Sequence, residues 1–204
     1  MKKEKINSII GIILIIIFFI ISSYLVQTNI DSFKEKINIG ITGIIIFIII
    51  IALSIIIAPV SVIPLFPLGI GIWGWVITAI LAIIGWTIGA IIAFLLARKF
   101  GTKLIKKIIP IESIHKFEKK IPTKNIFWTI VFLRATIPID GVSYLFGLFS
   151  KISLKKYTLA TIIGLIPFSF AICYFGTIPI YYQIFSIIII VIIILIGIKI
   201  LKKK

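Results

Sequence analysis

The sequence predicts an all-α polytopic membrane protein with about four spanning helices and two opposed re-entrant helical hairpins. Hydrophobic residues make up 61% of the 204 residues, and the mean hydropathy of +1.28 lies far outside the range of soluble domains. Apolar runs long enough to cross a bilayer, about 20 residues, recur along the whole chain. The net charge of +16 comes from short basic blocks between these runs. Such blocks are typical topology signals, so we expect no nucleic-acid partner.

The first element is a spanning helix followed by an outer loop, together residues 1–38. Its apolar run, 9–26, follows a basic start and lacks an A-x-A-like cleavage site, so we expect an uncleaved helix. The distribution of Lys and Arg orients the chain, because cytoplasmic loops collect these residues. Segment 98–125 carries nine of them and 176–183 carries none. With both termini in the cytoplasm, the basic segments lie on the cytoplasmic side only if two apolar segments return to the face from which they enter.

The first returning segment is the hairpin 39–75. Pro59, Pro64 and Pro67 fall within nine residues, which a straight helix cannot accommodate. A spanning helix over 76–97 follows, and then the basic segment 98–125, which we expect to lie as an amphipathic segment on the anionic cytoplasmic leaflet.

The second returning segment is the hairpin 126–150, broken at Pro138 and Gly141. Its entering arm of 12 residues is about 18 Å long as a helix, roughly half of a 30 Å hydrocarbon core. Spanning helices over 157–175 and 184–201 complete one transmembrane domain, 39–201. Opposed broken hairpins are typical of secondary transporters. The alternative is an ordinary bundle whose helices are kinked by proline.

Arg134 and Asp140 are the only charged side chains at membrane depth in the predicted arrangement, and they flank Pro138. A charge at that depth usually faces a partner or an aqueous cavity, because it costs several kcal/mol. One interpretation is a structural pair that seals the hairpin. In the other, Arg134 binds an anionic group such as a lipid phosphate, while Asp140 binds a coupling H⁺ or Na⁺. Ser61 and Tyr144 add hydroxyls to the two hairpins as further candidate substrate contacts.

No metal site, cofactor or catalytic set is predicted. The chain has one Cys and one His, too few for a Cys/His metal cluster, and it lacks a Ser/His/Asp arrangement. We therefore expect no enzymatic activity.

Two stretches resemble the VTT (SNARE-associated) domain of the DedA superfamily, over roughly 39–201. They are "GWVITAILAIIGWTIGAIIAFLLARKFG" (74–101) and "PIDGVSYLFGLFSKISLKKYTLATIIGLIPFSF" (138–170). The resemblance implies two opposed re-entrant hairpins and movement of lipids across bilayers, as lipid-phosphate carriers or phospholipid scramblases. Pro138 and Asp140 match the motif of the hairpin tip, and Arg98, Lys99 and Gly101 match the end of the helix after the first hairpin.

The match departs from the family pattern in the charged residues. Arg134 stands near the position of an essential arginine of bacterial members, but four residues before the proline, and the second arginine of that pattern is absent. The first hairpin also lacks the acidic residue that many bacterial members have there. These departures count against tight proton-coupled transport of an undecaprenyl-type phosphate, and they leave scrambling or a different lipid equally open.

Together these observations predict a multi-pass plasma-membrane lipid transporter, a flippase or scramblase of phospholipid or polyprenyl phosphate. Its headgroup would bind between the two hairpins. The expected partners are membrane lipids with anionic headgroups, and a homo-oligomer is left open. Two alternatives remain: a non-transporting membrane scaffold in which Arg134 and Asp140 only hold the hairpin, and a cation-coupled transporter of small ions.

Overall fold

The structure is a computed structural model, and it describes residues 2–36, 40–57, 61–105, 125–136 and 142–201. These residues form helices and no strand, which confirms the all-helical prediction. The helices are α1 (Lys2–Lys36), α2 (Ile41–Ile57), α3 (Phe66–Trp73), α4 (Trp75–Ile105), α5 (Ile126–Thr136), α6 (Val142–Phe149), α7 (Leu154–Thr177) and α8 (Ile180–Leu201), with a 3-10 turn at Ile63–Leu65 before α3.

Two described helices are long and apolar enough to cross a membrane: Trp75–Gly101 in α4, with 27 residues, and Leu154–Thr177, with 24. At 1.5 Å per residue they are roughly 40 and 36 Å long. They pack against each other and run in opposite directions, because Trp75 contacts Tyr174 while Phe94 stacks on Tyr157. Both coincide with predicted spans.

The segment predicted as the first hairpin, 39–75, contains two helices, α2 and α3. The ring of Phe47 in α2 lies 6.5 Å from that of Phe66 and 5.4 Å from that of Trp73, so α3 contacts α2 through Phe47. Pro64 lies in the 3-10 turn and Pro67 in the first turn of α3, where a missing backbone donor costs little. Pro59 lies outside the described residues.

The two halves of the domain pack in an equivalent way. Helix α4 packs against α2 and α6, and α7 packs against α5 and α3. Each of these helices thus contacts the first arm of its own broken pair and the second arm of the other pair. Gly89 of α4 abuts the backbone of Ala52 in α2, as Gly164 of α7 abuts that of Val131 in α5. The same packing arrangement therefore occurs in both halves.

Helix α1 extends beyond the predicted end of the apolar run, to Lys36, with non-helical backbone at Asn29. The Thr28 hydroxyl donates to the Tyr24 carbonyl (2.8 Å) and so satisfies a carbonyl beside the break. One residue earlier, the side chain of Gln27 donates to the Ile178 carbonyl and accepts from the Ile180 amide, both at 3.2 Å. Residue 27 and the α7–α8 turn therefore lie at the same end of the bundle.

The opposite end is held by Arg98. Its Nη2 donates to the carbonyls of Ser150 (3.0 Å) and Ile152 (2.7 Å) in the segment between α6 and α7. Just beyond, Gly101 has φ +63°, a conformation that glycine adopts far more readily than other residues. The charge count predicts the same grouping, with 27–38 and 176–183 on one side and 98–125 and 151–156 on the other.

Candidate functional site

Arg134 lies in the last turn of α5 and is 2% exposed. A cation at this position interacts favourably with the carbonyl end of the helix. The close approach of α7 depends on Gly164: a Cβ built there would lie 2.7 Å from the Arg134 Cβ and 2.7 Å from the Val131 carbonyl oxygen. Only a glycine leaves room for α5 and α7 to bury this arginine between them.

The Arg134 guanidinium donates hydrogen bonds to two neutral hydroxyl groups. Nη2 donates to Ser143 Oγ (2.5 Å) in the first turn of α6 and to the Tyr157 hydroxyl (3.2 Å) at the start of α7. Nε is buried and has no hydrogen-bond partner among the described residues. A guanidinium stays protonated in proteins, and a buried charge is normally paired. The site therefore carries a positive charge that these hydroxyls solvate without neutralising.

The segment predicted to form the hairpin tip, with Pro138, Asp140 and Gly141, lies outside the described residues. Arg134 precedes this segment and Ser143 follows it, and their hydrogen bond joins the end of α5 to the start of α6.

Tyr144 joins the two broken pairs. Its fully buried side chain donates from the hydroxyl to the Ile56 carbonyl, 2.6 Å away. Ile56 lies in the last turn of α2, where backbone carbonyls have no helical donor. The start of α6 therefore contacts the end of α2. In the structure the hydroxyl of Tyr144, a candidate substrate contact, donates to a backbone carbonyl.

Ser61, the other predicted hydroxyl, makes a local contact. Its Oγ accepts from the Ile63 amide at 3.4 Å, in the turn that precedes α3, and its side chain is half-buried. No described contact joins it to Arg134.

An aromatic stack links the arginine site to the end of the bundle that Arg98 holds. The Arg98 guanidinium carbon lies 4.4 Å from the centroid of the Phe94 ring. That ring stacks on Tyr157 at 4.2 Å and 18°, and Tyr157 in turn accepts from Arg134.

Sequence reasoning did not identify Ser143 or Tyr157 as site residues. The only signal for Tyr157 is its place as the aromatic residue after the basic turn 151–156. Ser143 carries no signal, because a serine at a helix start is more often a cap.

The family model of the VTT domain matches residues 41–178. This range begins at α2 and ends just after α7, and it contains both broken helix pairs and Arg134. The chain belongs to the VTT-domain (DedA) family. The match confirms the resemblance in the sequence, and it makes this chain a membrane protein of a family associated with transport rather than catalysis. Searches among curated proteins and among solved structures gave no match.

Two helices flank the VTT domain. Helix α1 packs against α3 and against α8, so both flanking helices cover the side of the domain that carries α3. The Arg134 site lies between α5, α6 and α7, wholly within the VTT domain.

Proposed function

We propose that this VTT-domain protein moves lipids with anionic headgroups across the plasma membrane and that Arg134 binds the headgroup. The observation that carries the proposal is the buried Arg134 guanidinium, with neutral recorded partners and an Nε that no described residue uses.

The geometry suits a phosphate. Ser143 and Tyr157 hold Nη2, which fixes the plane of the guanidinium and orients its remaining N–H groups. An arginine N–H donates a charge-assisted hydrogen bond to a phosphate oxygen, and Nε is available for such a bond because no described residue accepts from it. No described residue supplies a counter-charge to this buried cation, and an anionic headgroup would supply one.

The arms of the second broken pair are short. Helix α5 has 11 residues and α6 has 8, about 16 and 12 Å, so neither crosses a 30 Å core. We infer that this pair re-enters to the cytoplasmic face and α2–α3 to the opposite face, with N- and C-termini in the cytoplasm. The headgroup site is then near the middle of the bilayer. Asp140 binds the coupling H⁺ or Na⁺ if transport is coupled.

The test is lipid translocation in proteoliposomes. Fluorescent phospholipid and a polyprenyl phosphate are followed with an outer-leaflet probe for wild type, Arg134→Gln and Arg134→Lys. We expect Arg134→Gln to lower the rate at least about tenfold, since a charge-assisted hydrogen bond is worth more than 1.4 kcal/mol. Arg134→Lys should fall between the two, because it keeps the charge and loses the fork. Unchanged transport in a folded Arg134→Gln protein contradicts the proposal.

A structural Arg134–Asp140 pair is tested by the double substitution Arg134→Asp with Asp140→Arg. A pair that only holds the hairpin tolerates the exchange, whereas a headgroup site loses transport. Absence of lipid movement in wild type favours a scaffold, and ion currents without lipid movement favour a small-ion transporter.

A further inference from the structure

Two adjacent cavities lie between the VTT domain and its flanking helices. The first is about 320 Å³, and the described residues that line it are all apolar, among them Ile16, Ile63, Phe175 and Ile187. The second, about 250 Å³, is lined in part by polar side chains, among them Ser23, Gln27 and Thr177, with Pro67 and Gly71 of α3.

The cavities follow one another along the same three walls. On α1 the apolar cavity is lined by Ile16 and the polar one by Ser23, two turns later; α7 places Ile172 before Thr177 in the same order. The third wall has the same order: Ile63 of the 3-10 turn lines the apolar cavity, and Pro67 and Gly71 of α3 line the polar one. Together the cavities follow α1 from residue 15 to residue 27, about 18 Å, which is close to the depth of one leaflet.

The polar side chains of the second cavity are the hydroxyls of Ser23 and Thr177 and the amide of Gln27. The described residues that line it include no Lys, Arg, Asp or Glu. Beside it, the buried Gln183 donates from Nε2 to the carbonyls of Gly176 (3.3 Å) and Ile178 (2.7 Å). Its Oε1 is buried and has no partner within the described part of the chain. The hydroxyl oxygens and the Gln183 Oε1 can accept from a group that brings N–H or O–H donors, and the described lining offers no cation for a phosphate.

We propose that this crevice binds a bilayer lipid, with an acyl chain in the apolar cavity and a hydrogen-bond-donating headgroup, an ammonium or sugar hydroxyls, in the polar cavity. A lipid matches both the succession from apolar to polar and the leaflet depth. The two volumes together fall within the roughly 300–1,000 Å³ of ordinary ligand pockets. Arg134 lines neither cavity, so the site stands independently of the proposed transport.

The experiment measures lipid retention by native mass spectrometry of the full chain in detergent. The probes are dioleoyl lipids with ethanolamine, N-methylated ethanolamine, choline or monosaccharide headgroups. We expect the ethanolamine or the sugar lipid to bind at least about tenfold more tightly than the choline lipid, which has no N–H donor. The ethanolamine and sugar arms identify the donor.

Matched variants locate the site. Ile16→Trp fills the apolar cavity and should lower retention at least about tenfold, whereas Ile17→Trp, at a neighbouring side chain that is 45% exposed, should not. Ser23→Ala should reduce the difference in retention between lipids with donor headgroups and the choline lipid. This variant tests the proposal if Ile16→Trp does not fold. Equal retention of the ethanolamine, sugar and choline lipids, retention of no lipid, or equal effects of the two tryptophans would overturn the proposal.

Discussion

Replacing Gly164 with alanine tests how closely α7 must approach Arg134. The new Cβ would lie 2.7 Å from the Arg134 Cβ and from the Val131 carbonyl oxygen, against about 3.5 Å or more for a relaxed carbon contact. One helix must therefore move by roughly 1 Å. Overpacking of this kind costs up to about 3 kcal/mol, and alanine returns about 1 kcal/mol of helix propensity. We expect a net loss of about 2 kcal/mol.

The loss can be measured through the single cysteine, Cys173, which is fully buried. A thiol-reactive fluorophore should label it only on unfolding, and a loss of 2 kcal/mol should lower the midpoint by about 4–8 °C for a chain of this size. Lipid translocation should fall at least tenfold, because the shift displaces the base of the Arg134 side chain.

Two glycines provide matched controls. A Cβ on Gly89 would lie 2.5 Å from the Ala52 carbonyl oxygen, in the equivalent contact of the first half, whereas a Cβ on Gly11 meets nothing within 4 Å. Gly89→Ala should lower the free energy of unfolding by a similar amount, but at temperatures below its labelling midpoint it should lose less transport. Gly11→Ala should change neither stability nor transport. If Gly164→Ala behaved like Gly11→Ala in both assays, the close approach of α7 to Arg134 would be refuted.

Two further substitutions test the contacts around the site. Tyr144→Phe removes the hydroxyl that donates to the Ile56 carbonyl and should lower the free energy of unfolding by about 0.6–1.7 kcal/mol. The control Tyr182→Phe, at a side chain that is 53% exposed, should leave the labelling midpoint unchanged. Equal midpoints for the two variants would show that the contact between Tyr144 and Ile56 contributes nothing to stability. Arg98→Gln removes the guanidinium that donates to two backbone carbonyls beyond α6. It should lower the free energy of unfolding by on the order of 1 kcal/mol, which is less than for a buried charged hydrogen bond because this side chain is exposed. Arg98→Lys should recover only part, since an ammonium cannot reproduce the planar guanidinium over Phe94, and full recovery would argue for charge alone.

Much of the helical layout was predictable because it depends on local chemistry. Three prolines within nine residues exclude a straight helix, and the helices of the structure do end at Ile57 and begin again at Phe66. Arg134 stood out because a charge within an apolar run has few inexpensive places to lie. The continuation of α1 as a helix from Val26 to Lys36 was not predicted, because the polar residues that follow Val26 are equally typical of a loop.

The partners of the site residues could not be predicted in the same way. Ser143 and Tyr157 reach one guanidinium across 9 and 23 residues, and Tyr144 reaches the Ile56 carbonyl across 88. Such pairs depend on the packing of α4 and α7 against the broken helices, and helical periodicity gives the face of a residue without its neighbour.

By itself the sequence determined the class of protein, the positions of the first break and of the two long spans, and the buried cation. These follow from transfer free energies and backbone sterics, which act residue by residue. Only the tertiary structure decided that the two broken pairs meet at Tyr144, and that neutral hydroxyls solvate Arg134 while its Nε has no partner among the described residues. It also decided that α1 and α8 leave a crevice against the domain. These features depend on which helices pack together, a choice made by the shapes of facing surfaces such as Gly164 against Val131 rather than by any single stretch of chain.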